Sequence, residues 1–266
     1  MYRFEYHKPT EIAEAAACFE AAEDPVYLSG GMTLLPTMKQ RLAAPTDVID
    51  LAGVETLSGV QLDDEWLHIG ALTRHAQVVR DAMVRQAIPG LAGLAGCIGD
   101  EQVRNRGTIG GSIANSDPAA DYPAAVIALG ATVKTDRRQI AAEDYFRDLF
   151  ETDLESGEIV TGLAFRRPQR CAYRKFPNPA SRYAVVGVMV ADFGGQVRVG
   201  VTGAGPCAFR ATTFEAALNE DLRPEALQGV EIPDAGFNAD LHASAEYRAH
   251  LVGVMARRAV GDLLAP

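Results

Sequence analysis

The chain has 266 residues, 48% of them hydrophobic, with a formal net charge of -10 and a sequence pI of about 5.0. That length can bury a sizeable core, as one large or two medium domains. The acidic balance argues against nucleic acid or an anionic membrane as partner, because both call for a basic face. Any phosphate-bearing ligand must then be held by local backbone N–H groups.

From the amino terminus, Tyr2, Phe4 and Tyr6 alternate with polar residues, as in a half-buried strand. Thr10 is the expected N-cap of a helix carrying Ile12, Ala15, Ala16 and Phe19. A short strand over 26–29 runs into Gly30-Gly31, and a helix is expected to open near Thr33, with Pro36 tolerable in its first turn. Residues 48–51 form another short strand, and 59–62 and 66–69 read as a hairpin around Asp63-Asp64-Glu65. Thr73 is the expected cap of the helix through Ala76, Val79 and Met83, and a helical stripe follows at Leu91, Leu94 and Ile98. Gly93-Leu94-Ala95-Gly96 looks like part of a dinucleotide fingerprint. It has no preceding strand, however, and reads as close helix packing.

Residues 104–121, RNRGTIGGSIANSDPAAD, read as a glycine-hinged loop followed by small polar residues. Gly107, Gly110 and Gly111 can take positive φ, and Thr108, Ser112, Asn115, Ser116 and Asp117 supply short donors and acceptors. Alone, this is either a site for a large polar ligand or an ordinary tight connection. Beyond it, 122–129 is helical and 131–134 a strand. Composition shifts near 165–168, and then come a strand at 172–176 and a hairpin of 183–192 and 196–202 around Gly194-Gly195. A short helix at 212–218, a loop-rich stretch at 221–238 and an amphipathic helix at 245–264 complete an α+β chain in two unequal domains, the larger first.

Catalytic groups are scarce. The histidines His7, His68, His75, His242 and His250 are scattered, with His75 expected at the surface or satisfied in a helix's first turn. Arg104 and Arg106 read as solvated or salt-bridged more readily than as phosphate ligands. The cysteines Cys18, Cys97, Cys171 and Cys207 form no C-x-x-C, so neither a zinc site nor an iron–sulfur cluster is expected, and buried reduced thiols are. No signal-peptide run and no stretch of about 20 apolar residues occurs. The expectation is a soluble, cytoplasmic protein. A second glycine loop, LSGGMTLL at 28–35, also ends at an expected helix start, so N–H groups from both loops would converge on one region. A dinucleotide held between two subdomains answers the charge constraint, and the chemistry would come from that cofactor.

The strings SGGMTLLPTMKQRL (29–42), IGALTRH (69–75), RNRGTIGGSIANSDPAAD (104–121), KFPNPASRYAVVGV (175–188) and ASAEYRAHL (243–251) resemble the FAD-binding medium subunit of the molybdenum hydroxylases, the xanthine dehydrogenase and aerobic carbon monoxide dehydrogenase family. The resemblance implies a two-subdomain FAD-binding domain over 1–168 (1–54 and 55–168). A smaller α+β domain with a three-stranded antiparallel sheet would follow over 169–266. It places the pyrophosphate on a first loop of Tyr27, Leu28, Ser29, Gly30, Gly31, Met32, Thr33 and Leu34. Thr108, Ile109, Gly110, Gly111 and Ser112 form the second loop, with Asn115 near the flavin and Asp121 accepting from the cofactor. Ile98 and Val160 would flank the ring system. Lys175 would lie at the pyrimidine edge, where a cation favours the anionic reduced form. The implied function is electron transfer through FAD within a heteromer. Molybdopterin would reside in a large subunit and the iron–sulfur clusters in a small one, in a dimer of heterotrimers. A non-catalytic assembly or regulatory relative is the alternative reading, and a stand-alone flavin oxidoreductase a third.

Overall fold

The computed structural model describes residues 1–265 as three larger sheets and a two-stranded ribbon, with helices between them. The first sheet is parallel, β1(Glu5–His7), β3(Asp47–Asp50) and β2(Pro25–Leu28) in spatial order. Parallel neighbours need crossovers, and α1(Ile12–Ala21) and α2(Leu34–Lys39) supply them. Ala15 of α1 packs on Ile49 of β3, with Leu51, Val54, Leu57 and Ile159 closing the small core.

The second sheet is antiparallel, with order β4(Val60–Leu62), β5(Trp66–Gly70), β10(Val160–Arg166), β6(Thr132–Thr135), β7(Gln139–Ala141). Between β5 and β6 the chain makes six short helices: α3(His75–Arg80), α4(Ala82–Ala87), α5(Pro89–Gly96), α6(Glu101–Arg106), α7(Ile109–Asn115) and α8(Tyr122–Ala128). Every residue of α8 is buried, as expected of a helix apolar all round. A one-turn α9(Ala142–Tyr145) and a small ribbon, β8(Phe146–Asp148) with β9(Glu151–Thr152), lead into β10.

The chain leaves the second sheet at Arg166 and enters the third at Arg170. That sheet is β11(Arg170–Pro177), β12(Ala184–Asp192), β13(Val197–Thr202) and β14(Phe209–Arg210), all antiparallel. All nine residues of β12 are buried, because α8 and α5 cover one face of the sheet. On the other face lie α10(Thr212–Glu220) and α11(Ala245–Leu264). Gly200 of β13 allows the first contact: a Cβ there would lie 2.1 Å from the Ala124 carbonyl of α8.

Several local expectations change. The third sheet has four strands, the fourth being the two-residue β14. Tyr2 and Phe4 lie outside β1. Glu11 stands at the start of α1 in place of Thr10, whose N–H donates to Glu14 at 2.9 Å. Thr73 does not cap α3 either: its hydroxyl exchanges hydrogen bonds with Gly59, and Arg74 occupies the cap. The helix expected to continue through Met83 breaks at Asp81, whose carboxylate accepts from Met83 and Val84 N–H and so starts α4. Most of the expected loop at 104–121 is helical, in α6 and α7.

Candidate functional site

A cavity of about 610 Å³ opens where the three sheets meet. That lies within the range of about 300–1,000 Å³ common for small-molecule and cofactor sites. The glycine loop after β2 forms one wall, and the stretch from Gly107 through α7 to Asp121 forms the facing wall. Leu154 and Glu158 to Val160 close one side, and Ser181, Arg182 and Tyr183 come from the β11–β12 turn. All the residues that the sequence assigns to the site line this cavity except two. Ile109 is fully buried behind the wall, and Lys175 lies beneath it.

The two loops touch, and glycine is what lets them. A Cβ on Gly30 would lie 2.3 Å from the Arg106 carbonyl and 2.7 Å from Gly107 Cα. One on Gly111 would lie 2.4 Å from Ser29 Oγ, and one on Gly110 would lie 2.5 Å from Ala71 Cβ. Of the glycines in these loops, only Gly31, at φ 71°, uses the left-handed freedom expected of them. Gly107, Gly110 and Gly111 have ordinary backbone angles, so there the requirement is the missing side chain.

The loops also differ in what they can offer a ligand. Among the described residues, the N–H groups of Gly30, Gly31, Met32 and Thr33 meet no protein acceptor. Those of residues 109–112 in the second loop are spent. Ile109 and Gly110 donate to the carbonyls of Thr73 (3.1 Å) and Ala71 (2.8 Å), while Gly111 and Ser112 donate to the hydroxyl and carbonyl of Thr108 (3.1 and 3.0 Å). The expectation of two amide cradles therefore reduces to one. The second loop contributes side chains instead: Ser112 and Asn115 line the cavity with no protein hydrogen bond among the described residues.

Electrostatics follow the same division. Two buried carboxylates line the cavity, Asp121 and Glu158, and each is neutralised from behind. Lys175 meets Asp121 at 2.9 Å, with the Tyr173 hydroxyl donating to the same group at 2.6 Å. Arg138 meets Glu158 at 3.0 Å, where Thr135 and the Glu155 N–H also donate. Burial pushes the Asp121 carboxyl up, and Lys175 and Tyr173 oppose that shift. An anionic ligand thus meets free amides on one wall, and two compensated carboxylates elsewhere; the half-buried Asp117 also lines the cavity, with the Ala119 N–H as its carboxylate's one partner among the described residues.

His75 is a site residue that sequence reasoning placed at the surface or satisfied in a helix's first turn. It is 4% exposed, lines the cavity, and tilts against the Tyr122 ring with centroids 5.3 Å apart. Its Nδ1 is buried with no partner, and a Cβ on Gly107 would come within 2.5 Å of its Nε2. An orphaned buried nitrogen on a cavity wall is a group awaiting a hydrogen bond. Burial, reinforced by Arg104, pushes the imidazole down to about 4, so it is neutral at pH 7. Because the folded value lies below the ordinary value of about 6.5, His75 contributes stability at neutral pH that is lost as pH falls through that window. About 2 kcal/mol should be lost between pH 7 and pH 5 from this group. His75→Leu should flatten that slope in urea unfolding at the two pH values, and an unchanged slope would clear His75 of it. Arg104 is half-buried and makes no salt bridge among the described residues; its guanidinium donates to the carbonyls of Ile98 (2.8 Å) and Gly99 (3.1 Å). Of the cysteines expected to be buried, Cys97 is exposed and Cys18, Cys171 and Cys207 are half-buried. Tyr183 also escaped the assignment, although it lies inside the string 175–188.

Residues 2–166 match the family described as the FAD binding domain in molybdopterin dehydrogenase. The chain belongs to the FAD-binding medium subunits of the molybdenum hydroxylases. It is 34% identical to the nicotine 6-hydroxylase medium subunit of Paenarthrobacter nicotinovorans, over 96% of this chain and 95% of that one. It is 32% identical to the carbon monoxide dehydrogenase medium chain of Hydrogenophaga pseudoflava, over 97% and 96%. A solved structure of carbon monoxide dehydrogenase from the same organism superposes with a TM-score of 0.88 at 33% identity, covering 98% of this chain and 97% of that one. The mixed α+β architecture is that of this family, and the relatives are oxidoreductases by name.

Proposed function

We propose that the cavity holds FAD and that the chain passes electrons from a partner's iron–sulfur clusters, through that FAD, to an external acceptor. The observation that carries this reading is the row of free N–H groups at Gly30–Thr33, in a cavity whose two buried carboxylates, Asp121 and Glu158, are already neutralised. That is a receptor for a pyrophosphate, the central feature of a dinucleotide. When bound, FAD supplies reversible electron storage. The chain's own residues bind and orient it, with amides of the first loop on the phosphates and Ser112, Asn115 and His75 on the remaining polar edge. Ile98 and Val160 offer apolar contact to its rings.

The partners in this reading are a small iron–sulfur subunit and a large molybdopterin subunit, assembled as a dimer of heterotrimers in the cytoplasm. Relatives of similar identity carry names as different as nicotine 6-hydroxylase and carbon monoxide dehydrogenase, which supports a shared electron-transfer role with the substrate chosen in another subunit. No helix among the described residues is long and apolar enough to cross a membrane. The test is expression with the neighbouring reading frames. The purified complex should carry about one noncovalent flavin per copy of this chain, and that flavin should bleach when the molybdenum subunit turns over its substrate. A purified chain that neither retains nor takes up added FAD would overturn the reading.

A further inference from the structure

Lys175 does not present its charge to the cavity, and what it does instead follows from its three donors. Its side chain is 7% exposed. Nζ donates to the Cys97 carbonyl at 2.8 Å, the Arg182 carbonyl at 2.8 Å and the Asp121 carboxylate at 2.9 Å. An ammonium has three donors and no more, so none remains for a ligand. Strand alternation sets this up, since Tyr173 and Lys175 of β11 share the face turned toward Asp121, while Arg174 between them pairs with Asp262 of α11.

The three acceptors belong to three separate parts of the cavity. Cys97 precedes Ile98 and Gly99, which form one rim. Arg182 lies between Ser181 and Tyr183, which form a second rim, and Asp121 stands at the start of α8. Arg182 is held at φ 63°, a region that residues other than glycine avoid. Its carbonyl goes to Lys175, its N–H donates to the Asn178 carbonyl at 2.9 Å, and its guanidinium reaches across to the Gly99 carbonyl at 3.3 Å. Both rims are thus tied to each other through cations on backbone carbonyls, and Lys175 is the one of these cations that also anchors to the floor.

We propose that Lys175 is a positioning residue: one ammonium ties the 97–99 rim, the 181–183 rim and α8 together, and so sets the width of the mouth into which the flavin ring enters. The proposal rests on the FAD reading for the identity of the ligand, but its structural core does not. The rival role is simple neutralisation of Asp121, which a double variant separates. In K175M/D121N both charges are gone and the volumes are kept, yet the rims are untied.

The experiment is amide hydrogen exchange on the ligand-free full chain, with flavin titration and redox potentiometry beside it. In K175M and in K175M/D121N, exchange at residues 98–100 and 180–183 should rise by about tenfold or more while β12 and β13 stay protected. FAD affinity should weaken in both, and the midpoint potential of the flavin that does bind should match the wild type. If K175M is too unstable to purify, the double variant, which leaves no unpaired buried charge, carries the test alone. Unchanged exchange in the double variant would reduce Lys175 to a counter-ion, and a shifted potential with unchanged exchange would return it to the flavin's edge. Wild-type chain that binds no FAD would sink the functional reading and leave the exchange result standing.

Discussion

Gly30→Val is expected to yield a folded chain that no longer retains flavin. Gly30 lies outside every helix and strand, and its φ is ordinary, so the substitution carries no backbone strain of its own. The penalty is steric. The new Cβ would sit 2.3 Å from the Arg106 carbonyl and 2.7 Å from Gly107 Cα, both backbone atoms that cannot rotate away. One loop must move, at an overpacking cost of about 1–3 kcal/mol, and the loop free to move is the one whose four N–H groups have no protein acceptor. Displacing that row reorients the donors that the phosphates require. Affinity should fall at least about tenfold, or about 1.4 kcal/mol, and flavin content after gel filtration should drop accordingly. Gly93→Ala is the matching control, because it lies inside α5 with nothing within 4 Å of its added Cβ. It should keep its flavin and gain up to about 1 kcal/mol of stability from helix propensity. Full flavin content in Gly30→Val would remove this loop from the site.

That contrast shows what the chain discloses locally. Glycine doublets at 30–31 and 110–111 mark the two walls in sequence, yet glycine is selected both by positive φ and by a neighbour too close for a Cβ, and one sequence does not separate the two. Only Gly31 proved to need the first. The amides of Ile109 and Gly110 are equally ambiguous, because their acceptors lie more than thirty residues away in Thr73 and Ala71. Period-2 alternation places Lys175 with Tyr173 on one face of a strand, but what that face meets is Asp121, brought over by the packing of α8. His75 is polar and near a helix start, which locally reads as exposed. Its burial comes from Tyr122 and Gly107, both remote in sequence. Hairpins with their own turn signal, such as Gly194-Gly195 between β12 and β13, and the long stripe of α11 needed no such help. Strand β10, the centre of the five-stranded sheet, has no turn signal and pairs with strands far earlier in the chain, so it was not read as a strand at all.

Arg248→Ala is expected to cause the largest loss of stability, although the residue lies outside the cavity. Arg248 sits in the first turn of α11 and is 5% exposed. Its Nη1 donates to the carbonyls of Val185 (2.7 Å) and Gly203 (2.8 Å), and its Nη2 donates to Asp240 at 2.8 Å. One guanidinium therefore joins the start of α11 to the first turn of β12 and the end of β13. Gly203 makes the junction possible, since at φ 85° its Cβ would lie 2.6 Å from the Val185 carbonyl. Truncation leaves two buried carbonyls without donors and a void, for a cost of about 3–5 kcal/mol against a total stability of about 5–15 kcal/mol. The urea midpoint should fall steeply with little change in slope, and Arg248→Lys should recover part of the loss, because an ammonium lacks the planar fork. A loss below about 1 kcal/mol would mean that water replaces the guanidinium without penalty. Burial pushes the Asp240 carboxyl up, but the N–H groups of His242 and Ala243 together with Arg248 hold it below its ordinary range. Its contribution is present above about pH 4 and is lost as pH falls through the lower folded value, so Arg248→Ala should also show less weakening in acid. The effect should reach the site in attenuated form. The Gly203 N–H donates to the Pro118 carbonyl at 2.7 Å, and the Thr202 hydroxyl shares its one proton between the carbonyls of Pro118 and Ala120, the latter on the cavity wall. A loosened Gly203 therefore slackens residues 118–120, and the folded fraction of Arg248→Ala should bind flavin more weakly than wild type yet better than Gly30→Val.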